Sequence, residues 1–256
     1  MSEPSTAAEA AKSGPNHIRR VILLWAILTV AGIAFALIVP TLVMPTVAST
    51  DASKISTTFI AFTLISAPVA ALVWAVGAYS LLAWRSGRKD PPTDEGPPIR
   101  RNPKIEMSWV VISSILTLFL LIWGLVALQA VTVSAASDTL YVDVTGQQWV
   151  WSFSYPEQHV QSQLLELPVG RQVVFRVTSK DVVHGFWIPD FAIKVDANPA
   201  EITQTQTTPT VIGEYSVRCA ELCGLYHAYM ESIVRVVSPQ AFASWIHANG
   251  GRPEGT

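Results

Sequence analysis

Three long apolar runs limit what this chain can fold into. They occupy residues 21–44, 57–84 and 108–131, and none of them contains a charged side chain. Each run exceeds the roughly 20 residues that a helix needs to cross the hydrocarbon core of a bilayer. A helix is also the simplest way to satisfy every backbone polar group in lipid. Because runs of this length are unusual for buried helices of a soluble core, we predict membrane-spanning helices.

Basic side chains predict the orientation of these helices. Six lysines and arginines lie within residues 85–107, whereas the connection between the first two runs has Lys54 as its one cation. By the positive-inside rule, residues 85–107 form a cytoplasmic loop and everything after residue 131 lies on the outer face. We therefore expect an integral protein of a bacterial-type cell membrane with a periplasmic or extracellular C-terminal domain.

The first apolar run has two interpretations. A basic start, an apolar stretch and the small residues PTVAST at 45–50 also describe a cleaved export signal. The run is long for the apolar part of a signal and follows a tail, residues 1–20, so we favour a retained helix. Cleavage would leave two helices instead of three without changing the later topology.

The composition changes at about residue 132. Residues 132–256 are rich in Val, Thr and aromatic side chains, punctuated by Gly and Pro, which is typical of an all-β sandwich or barrel. A short closing helix is predicted at 238–251, with Ser238 as its N-cap. This domain has twelve Asp and Glu against seven Lys and Arg, a balance of −5. The excess could steer a basic partner, or it could serve solubility alone.

Both cysteines of the chain lie in CAELCGLYHAYM, residues 219–230. A disulfide is the ordinary interpretation on the outer face, but one between Cys219 and Cys223 would close a very short loop and add little stability. It would also leave His227 and Met230 unexplained. Two thiols, an imidazole and a thioether are soft ligands of the kind that select copper. His184, between a β-rich stretch and a turn, is the best-placed second imidazole.

These residues resemble a known family. The spacing C-x-E-x-C-x-x-x-H-x-x-M, with D-V-x-H upstream, is similar to the dinuclear copper A motif in subunit II of haem–copper cytochrome c oxidases. NPKIEMSW at 102–109, GQQWVWSFSYP at 146–156 and FAIKVDANPA at 191–200 resemble that family as well. Gln147 and Ala200 depart from its pattern, and the first apolar run is additional. The resemblance implies a membrane-anchored all-β protein, in which two or three N-terminal transmembrane helices precede a cupredoxin-like Greek-key β-barrel.

The resemblance implies a copper A centre of two copper ions bridged by both thiolates. One copper would be completed by an imidazole and the thioether, and the other by an imidazole and a backbone carbonyl. The bridging thiolates would be those of Cys219 and Cys223. His184 and Met230 would complete the first copper, and His227 and the backbone carbonyl of Glu221 would complete the second.

Four acidic or aromatic positions acquire expected roles from the same resemblance. The carboxylate of Glu221 would bind a magnesium ion shared with subunit I, since hard oxygen ligands suit magnesium; the alternative is a solvated loop residue. Glu106 would open a proton path into subunit I, or it would simply favour the start of its helix. Trp149 would receive electrons, and Asp196 would help to dock the donor.

The implied function is electron entry into cytochrome c oxidase. Cytochrome c would deliver electrons to copper A, and haem in subunit I would receive them for oxygen reduction coupled to proton pumping. The expected partners are subunit I, other oxidase subunits, cytochrome c and the membrane, and no nucleic acid. The chain has no CxxCH motif for a c-type haem.

Three other functions compete with this interpretation. A copper A subunit of a nitric oxide reductase would carry the same ligands, so the catalytic subunit would have to distinguish it. A quinol oxidase subunit would share the helices but lack the copper ligands. A blue-copper carrier would need one thiolate only, and NPKIEMSW would be unexplained.

Overall fold

The computed structural model of the protein describes residues 16–83, 101–132 and 138–252. The chain forms two compact units. Of the described residues, the first unit comprises 16–44, 59–83 and 101–116, and the second comprises 45–58, 117–132 and 138–252. The second unit therefore combines the predicted outer domain with the adjoining ends of two apolar helices.

The N-terminal part of the described chain contains three apolar helices, α1 (His17–Val43), α2 (Thr50–Ala83) and α3 (Pro103–Val131). Each is long and apolar enough to cross a membrane, and at most 11% of its most apolar stretch is buried inside the protein. Their exposed apolar side chains suit a lipid environment. The prediction of apolar helices followed by an all-β domain is confirmed.

Polar caps make the first two helices start before the apolar runs do. The hydroxyl of Ser49 accepts a backbone N–H at 3.0 Å, so α2 begins at Thr50 rather than at residue 57. The side chain of Asn16 accepts a backbone N–H at 3.1 Å, so α1 begins at His17, inside the predicted tail 1–20. Residues 1–15 of that tail lie outside the described residues. Hydropathy marks the part of a helix that lipid covers and misses its polar end turns.

Helices α1 and α2 contact each other within the first unit. The indole N–H of Trp25 donates to the backbone carbonyl of Pro68 at 2.8 Å. A ring nitrogen of His17 lies 2.9 Å from the hydroxyl of Tyr79. Two side-chain hydrogen bonds therefore join α1 to α2.

The C-terminal part of the described chain forms a β-sandwich. The strands are β1 Leu140–Gln147, β2 Val150–Tyr155, β3 Val160–Ser162, β4 Leu165–Pro168, β5 Val173–Ser179, β6 His184–Ile188, β7 Ile193–Ala197, β8 Thr203–Thr207, β9 Gly213–Cys219 and β10 Glu231–Val237, and α4 (Pro239–Ala248) follows them. Within residues 138–252, one sheet has the order β3-β2-β1-β5-β8 and the other β4-β10-β9-β6-β7. The parallel pairs β1–β5 and β4–β10 show that the chain crosses between the sheets.

The core lies between the two sheets and is rich in aromatic side chains. Phe186 of β6 packs against three rings of the opposite sheet, with centroid distances of 5.5 Å to Trp151, 6.4 Å to Phe153 and 5.3 Å to Phe175. All four side chains are at most 1% exposed. Because Phe186 is two residues from His184, this packing fixes the strand that carries a predicted ligand.

A short segment ahead of α2 fastens that helix to the β-sandwich; we call residues 46–50 the clasp. The N–H of Ala48 donates to the carbonyl of Asp190 at 3.0 Å, and the carbonyl of Ala48 accepts from Thr210 at 2.8 Å. The N–H of Thr50 donates to the carbonyl of Thr208 at 3.0 Å. Ala48 is fully buried and belongs to the sandwich core. The clasp therefore orders the chain immediately before α2.

Candidate metal centre

Both thiols lie at one end of the sandwich and are not bonded to each other. Cys219 is the last residue of β9, and Cys223 lies in the loop that leads to β10. Their sulfur atoms are 3.7 Å apart, well beyond the roughly 2.05 Å of a disulfide. The N–H of Cys219 donates to the carbonyl of Met230 at 3.1 Å, which closes the loop at its base. The alternative of a structural disulfide therefore finds no support here.

His184 reaches this loop from the neighbouring strand. Strand β6 pairs with β9, and the carbonyl of Gly185 accepts the N–H of Ala220 at 2.9 Å. The His184 side chain is fully buried, and its Nδ1 lies 3.9 Å from the sulfur of Cys219. The potential ligand atoms of His184, Cys219 and Cys223 all lie within 4.8 Å of one another.

The remaining predicted ligands surround the same two sulfurs. The backbone carbonyl of Glu221 lies 3.3 Å from the sulfur of Cys219. Nδ1 of His227 lies 3.6 Å from the sulfur of Cys223, and the thioether of Met230 lies 3.8 Å from it. The structure thus brings all six predicted ligand residues into one cluster, with a short 3-10 turn at His227–Tyr229 presenting the second imidazole.

The donor chemistry of this cluster fits copper. Thiolate, imidazole and thioether are the soft and borderline ligands of copper sites, and the cluster contains each of them. Burial, and to a smaller extent the neighbouring thiol of Cys219, raise the pKa of Cys223 to about 11. The thiol of Cys223 is therefore protonated at neutral pH in the metal-free protein, and binding a metal would release its proton.

Asp181 orients the buried imidazole, and sequence reasoning missed this role. Its Oδ1 lies 2.8 Å from Nε2 of His184, so the other ring nitrogen faces the thiols. Burial alone would raise the pKa of Asp181. Hydrogen bonds from Gln148, His184 and Val182 outweigh burial and lower that pKa to about 2. A carboxylate that fixes a ligand histidine is a usual outer partner of metal sites, and its position three residues before His184 was the available signal.

Gln148 connects both sides of the cluster and was also missed. Its backbone N–H donates to Oδ2 of Asp181 at 2.7 Å. Its side-chain amide donates to the carbonyl of Cys223 at 2.7 Å. One residue of the β1–β2 turn therefore holds the partner of His184 and the backbone of a cysteine. Nothing in the local sequence signals this, because the contacts depend on how three distant segments meet.

Two glycines allow the strands to approach the cluster closely. A Cβ at Gly146 would lie 2.9 Å from Cδ2 of His184, and a Cβ at Gly185 would lie 2.9 Å from the backbone carbon of Ala220. Both distances are shorter than real contacts. A larger residue at either position would displace a ligand or its loop.

Trp149 lies in the β1–β2 turn rather than in a strand. Strand β1 ends at Gln147 and β2 begins at Val150, so Trp149 belongs to neither strand. Trp151 is buried in the core. Trp149 is half-buried over the cysteine loop, with its ring centroid 4.8 Å from that of Tyr226 in an edge-to-face contact. The indole is thus placed by packing against the loop.

Asp196 and Glu221 are both partly open to solvent. Asp196 is exposed on β7, directly opposite Gly185 of β6. The carboxylate of Glu221 lies 3.3 Å from the ammonium of Lys194, and both side chains are about half exposed. Within the described residues, the predicted magnesium ligand therefore faces a lysine.

Glu106 lies in the first unit, at the start of α3. This helix begins at Pro103, inside the predicted cytoplasmic loop 85–107, of which residues 85–100 lie outside the described residues. Glu106 accepts the N–H of Asn102 at 3.2 Å, and the side chain of Asn102 accepts the N–H of Ile105 at 3.4 Å. This reciprocal pair caps the helix. These contacts support the alternative interpretation, in which Glu106 stabilises the start of its helix.

Comparisons with known proteins bear on the family of the chain. A family model described as cytochrome c oxidase subunit II, periplasmic domain, matches residues 159–237. Cytochrome c oxidase subunit 2 of Synechocystis sp. is 30% identical over 256 residues, which cover 82% of this chain and 76% of that relative. The chain belongs to the cytochrome c oxidase subunit 2 family.

Two further comparisons cover less of this subunit 2. Cytochrome c oxidase subunit 2 of Thermostichus vulcanus is 41% identical over 117 residues, covering 46% of this chain and 36% of that relative. The crystal structure of the periplasmic domain of subunit II of cytochrome oxidase (CoxB) of Bradyrhizobium japonicum is 32% identical. The match covers 46% of this chain and 97% of that domain, with a TM-score of 0.44.

Family membership confirms the predicted resemblance and its coarse consequences. The protein is a membrane-anchored cytochrome c oxidase subunit 2, and its C-terminal domain, which matches the family's periplasmic domain, lies on the outer face. The cluster of His184, Cys219 and Cys223 is a possible copper site of that subunit.

Proposed function

We propose that this subunit 2 is the electron-entry subunit of a proton-pumping cytochrome c oxidase and that it binds a dinuclear copper A centre. The proposal is based on the cluster of potential ligands. Two unbonded thiols 3.7 Å apart are surrounded by imidazole, thioether and carbonyl groups from two strands and one loop. A single thiol would suffice for a mononuclear blue-copper site, so the second thiol favours a bridged pair of metals.

The chain's own residues would supply a rigid ligand frame. When bound, a copper pair held by Cys219 and Cys223 would spread the charge of one electron over both metals and both sulfurs. Asp181 holds the imidazole of His184, and Gln148 holds the carbonyl of Cys223. Fixed ligands limit rearrangement when the charge changes, as pre-organised sites require.

Electrons would arrive from cytochrome c at Trp149 and leave for the haem of subunit I. Trp149 packs on the cysteine loop through Tyr226, so an electron on the indole is close to the ligand frame. Asp196 is exposed and carries a negative charge that could attract a basic donor. Oxygen reduction and proton pumping would take place in subunit I.

Two carboxylates would serve subunit I in this proposal. The carboxylate of Glu221 would bind magnesium at the subunit boundary, with its ion pair to Lys194 exchanged for the metal during assembly. Glu106 would open a proton path at the cytoplasmic end of α3, in addition to capping that helix.

The copper proposal is tested on the full chain loaded with copper. It predicts two coppers per chain and the purple colour of a mixed-valence pair. Cys223→Ser should abolish the dinuclear spectrum, because one thiolate cannot bridge both metals symmetrically. Met230→Leu is the matched control, since loss of a weak axial thioether should shift the potential but keep both coppers. An unchanged spectrum in Cys223→Ser would refute the proposal.

The second candidate is a copper A subunit of a nitric oxide reductase. The ligand cluster would serve that enzyme equally well, so the catalytic partner has to decide. Purifying the membrane complex and identifying its main subunit and haems distinguishes the two. Oxygen consumption driven by cytochrome c supports the oxidase, whereas nitric oxide reduction without oxygen consumption supports the alternative.

A further inference from the structure

A polar hollow lies on the outer face of the sheet that contains β1, β2 and β3. It has a volume of about 460 Å³. Side chains alternate along a strand, so Val144 and Phe153 point into the core and their neighbours point away from it. Those neighbours and the adjoining turns supply six polar side chains to the hollow, which are Thr145, Ser152, Ser154, Gln161, Gln163 and Lys180. None of them belongs to the copper cluster.

The hydrogen-bonding groups of these six side chains are unengaged. Among the residues that the structure describes, no hydrogen bond or ion pair involves any of these side chains. Thr145 lies directly opposite Ser152, and Ser154 lies directly opposite Gln161. Polar neighbours across two strands often bond each other, but these do not. Their donors and acceptors therefore remain available to a ligand.

The hollow carries a positive charge within an acidic domain. In the described part of the chain its one charged side chain is Lys180 and no carboxylate lines it, although the domain has a balance of −5. Asp143, two residues before Thr145 on the same face of β1, is already paired with Arg176. Every one of the six polar side chains can donate a hydrogen bond. Such a lining favours an anion that accepts hydrogen bonds, and lysine binds phosphate as a point charge.

The hollow has two ends that differ in chemistry. Lys180 defines one end, because its backbone N–H donates to the carbonyl of Gly146, the residue after Thr145, at 3.0 Å. Ser154 and Gln161 form the other end, about 7 Å farther along the sheet. Their hydroxyl and amide groups both donate and accept, as the hydroxyls of a polyol do. The cationic end thus suits a phosphate group, and the neutral end suits a polyol.

The size of the hollow indicates a ligand larger than a bare ion. A water molecule occupies about 30 Å³ in the liquid, so a five-atom oxyanion would leave most of the 460 Å³ unfilled. A short polyol attached to the phosphate would extend from the cationic end to the neutral end.

We propose that this hollow binds a small phosphorylated polyol. Its phosphate contacts Lys180, Thr145 and Ser152, and its hydroxyls bond to Ser154 and Gln161. The ligand completes hydrogen bonds that the domain leaves unmade. The proposal does not depend on the copper function, because none of the six predicted metal ligands lines the hollow.

Titration calorimetry of the full chain in a neutral, phosphate-free detergent tests the proposal with three probes, namely glycerol 3-phosphate, inorganic phosphate and glycerol. Glycerol 3-phosphate should bind about tenfold more tightly than either of the others, because it alone forms hydrogen bonds at both ends. Lys180→Gln should weaken its binding about tenfold, the loss expected for a hydrogen bond between charged groups. Equal affinities for glycerol 3-phosphate and inorganic phosphate would overturn the proposal, because the polyol would then not be recognised.

Two further variants separate the two ends of the hollow from a general effect of charge. Ser154→Ala should weaken the binding of glycerol 3-phosphate about fivefold, the effect of one neutral hydrogen bond, and leave that of inorganic phosphate unchanged. Arg218→Gln is the matched control for Lys180→Gln, since it removes a half-exposed positive charge from the other sheet and should leave binding unchanged. Thermal unfolding should be the same in all three variants, because each replaced side chain lies at the surface.

Two results would contradict the proposed site. Equal weakening by Arg218→Gln and Lys180→Gln would show that binding follows the overall charge of the domain. Loss of glycerol 3-phosphate binding in the complete oxidase would show that another subunit covers the hollow.

Discussion

Asp181 and Gln148 act on the ligand frame through single hydrogen bonds. Asp181 decides which nitrogen of His184 faces the thiols, since its carboxylate occupies the other one at 2.8 Å. Gln148 ties the carbonyl of Cys223 to the β1–β2 turn at 2.7 Å. Both contacts come from residues that bind no metal in the proposed site. Their loss should therefore change the copper affinity and the spectrum of the copper centre rather than the number of coppers bound.

Replacing Gln148 tests that contribution. Gln148→Ala removes the side-chain amide but keeps the backbone N–H that holds Asp181. We expect both coppers to be retained, with copper affinity lowered about tenfold, as is usual for outer partners of metal ligands. Competition with a copper chelator on the full chain measures the change. Gln147→Ala, at the exposed end of β1, is the matched control, and equal affinities in the two variants would count against a role for Gln148.

The ligand residues could be predicted from sequence because five of the six lie within twelve positions of one loop. His184 required only that a neighbouring strand supply an imidazole, and β6 does so. Gln148 could not be predicted, because its partners are 33 and 75 residues away and its place depends on where β1 ends.

At the scale of helices and strands, hydropathy predicted the apolar helices but not their starts. Ser49 and Asn102 begin helices with polar turns that extend beyond lipid. The clasp was also beyond sequence reasoning. Its hydrogen bonds join residues 46–50 to residues more than a hundred positions later, whereas the sequence of PTVAST suggested only the alternative of a cleaved signal.

The clasp should contribute to the stability of the outer domain. Ala48 is fully buried in the core of the sandwich, so Ala48→Asp would bury an unpaired charge. Such a change costs about 3 kcal/mol or more. Thermal unfolding of the full chain should occur at a lower temperature. Val47→Asp is the matched control, because Val47 is 44% exposed and should tolerate the charge. Equal stability of both variants would show that the clasp is dispensable.

We expect α1 to be retained in the mature protein. Trp25 and His17 make hydrogen bonds to residues of α2, which a removed signal would not need. Cleavage after Ala48 would also cut the clasp. N-terminal sequencing of the protein from membranes should therefore give a start ahead of residue 17. A start near residue 50 would make this prediction wrong and leave two helices.

On the scale of the whole molecule, the proposed function requires the outer domain to meet a donor on one side and subunit I on another. Its balance of −5 would attract a basic donor over a distance, whereas contact would depend on particular side chains. Steering by charge weakens with salt, because exposed charges are screened within about 10 Å at 0.1 M. Electron transfer within a docked pair has no such dependence. Salt therefore separates the proposed roles of Asp196 and Trp149.

Two substitutions in the complete oxidase test that separation. Asp196→Asn should weaken association with cytochrome c about two- to fivefold at low salt, the range expected for one exposed charge pair, and much less at high salt. Trp149→Gln should slow electron transfer in the docked complex at every salt concentration and leave donor affinity nearly unchanged. Flash-induced reduction of copper, measured across ionic strengths, gives both quantities. Trp149→Phe controls for packing, because a phenyl ring can keep the edge-to-face contact with Tyr226. If Trp149→Gln loses copper or unfolds whereas Trp149→Phe transfers electrons normally, the indole is a packing residue; slow transfer in a folded, copper-loaded Trp149→Gln variant supports electron entry there.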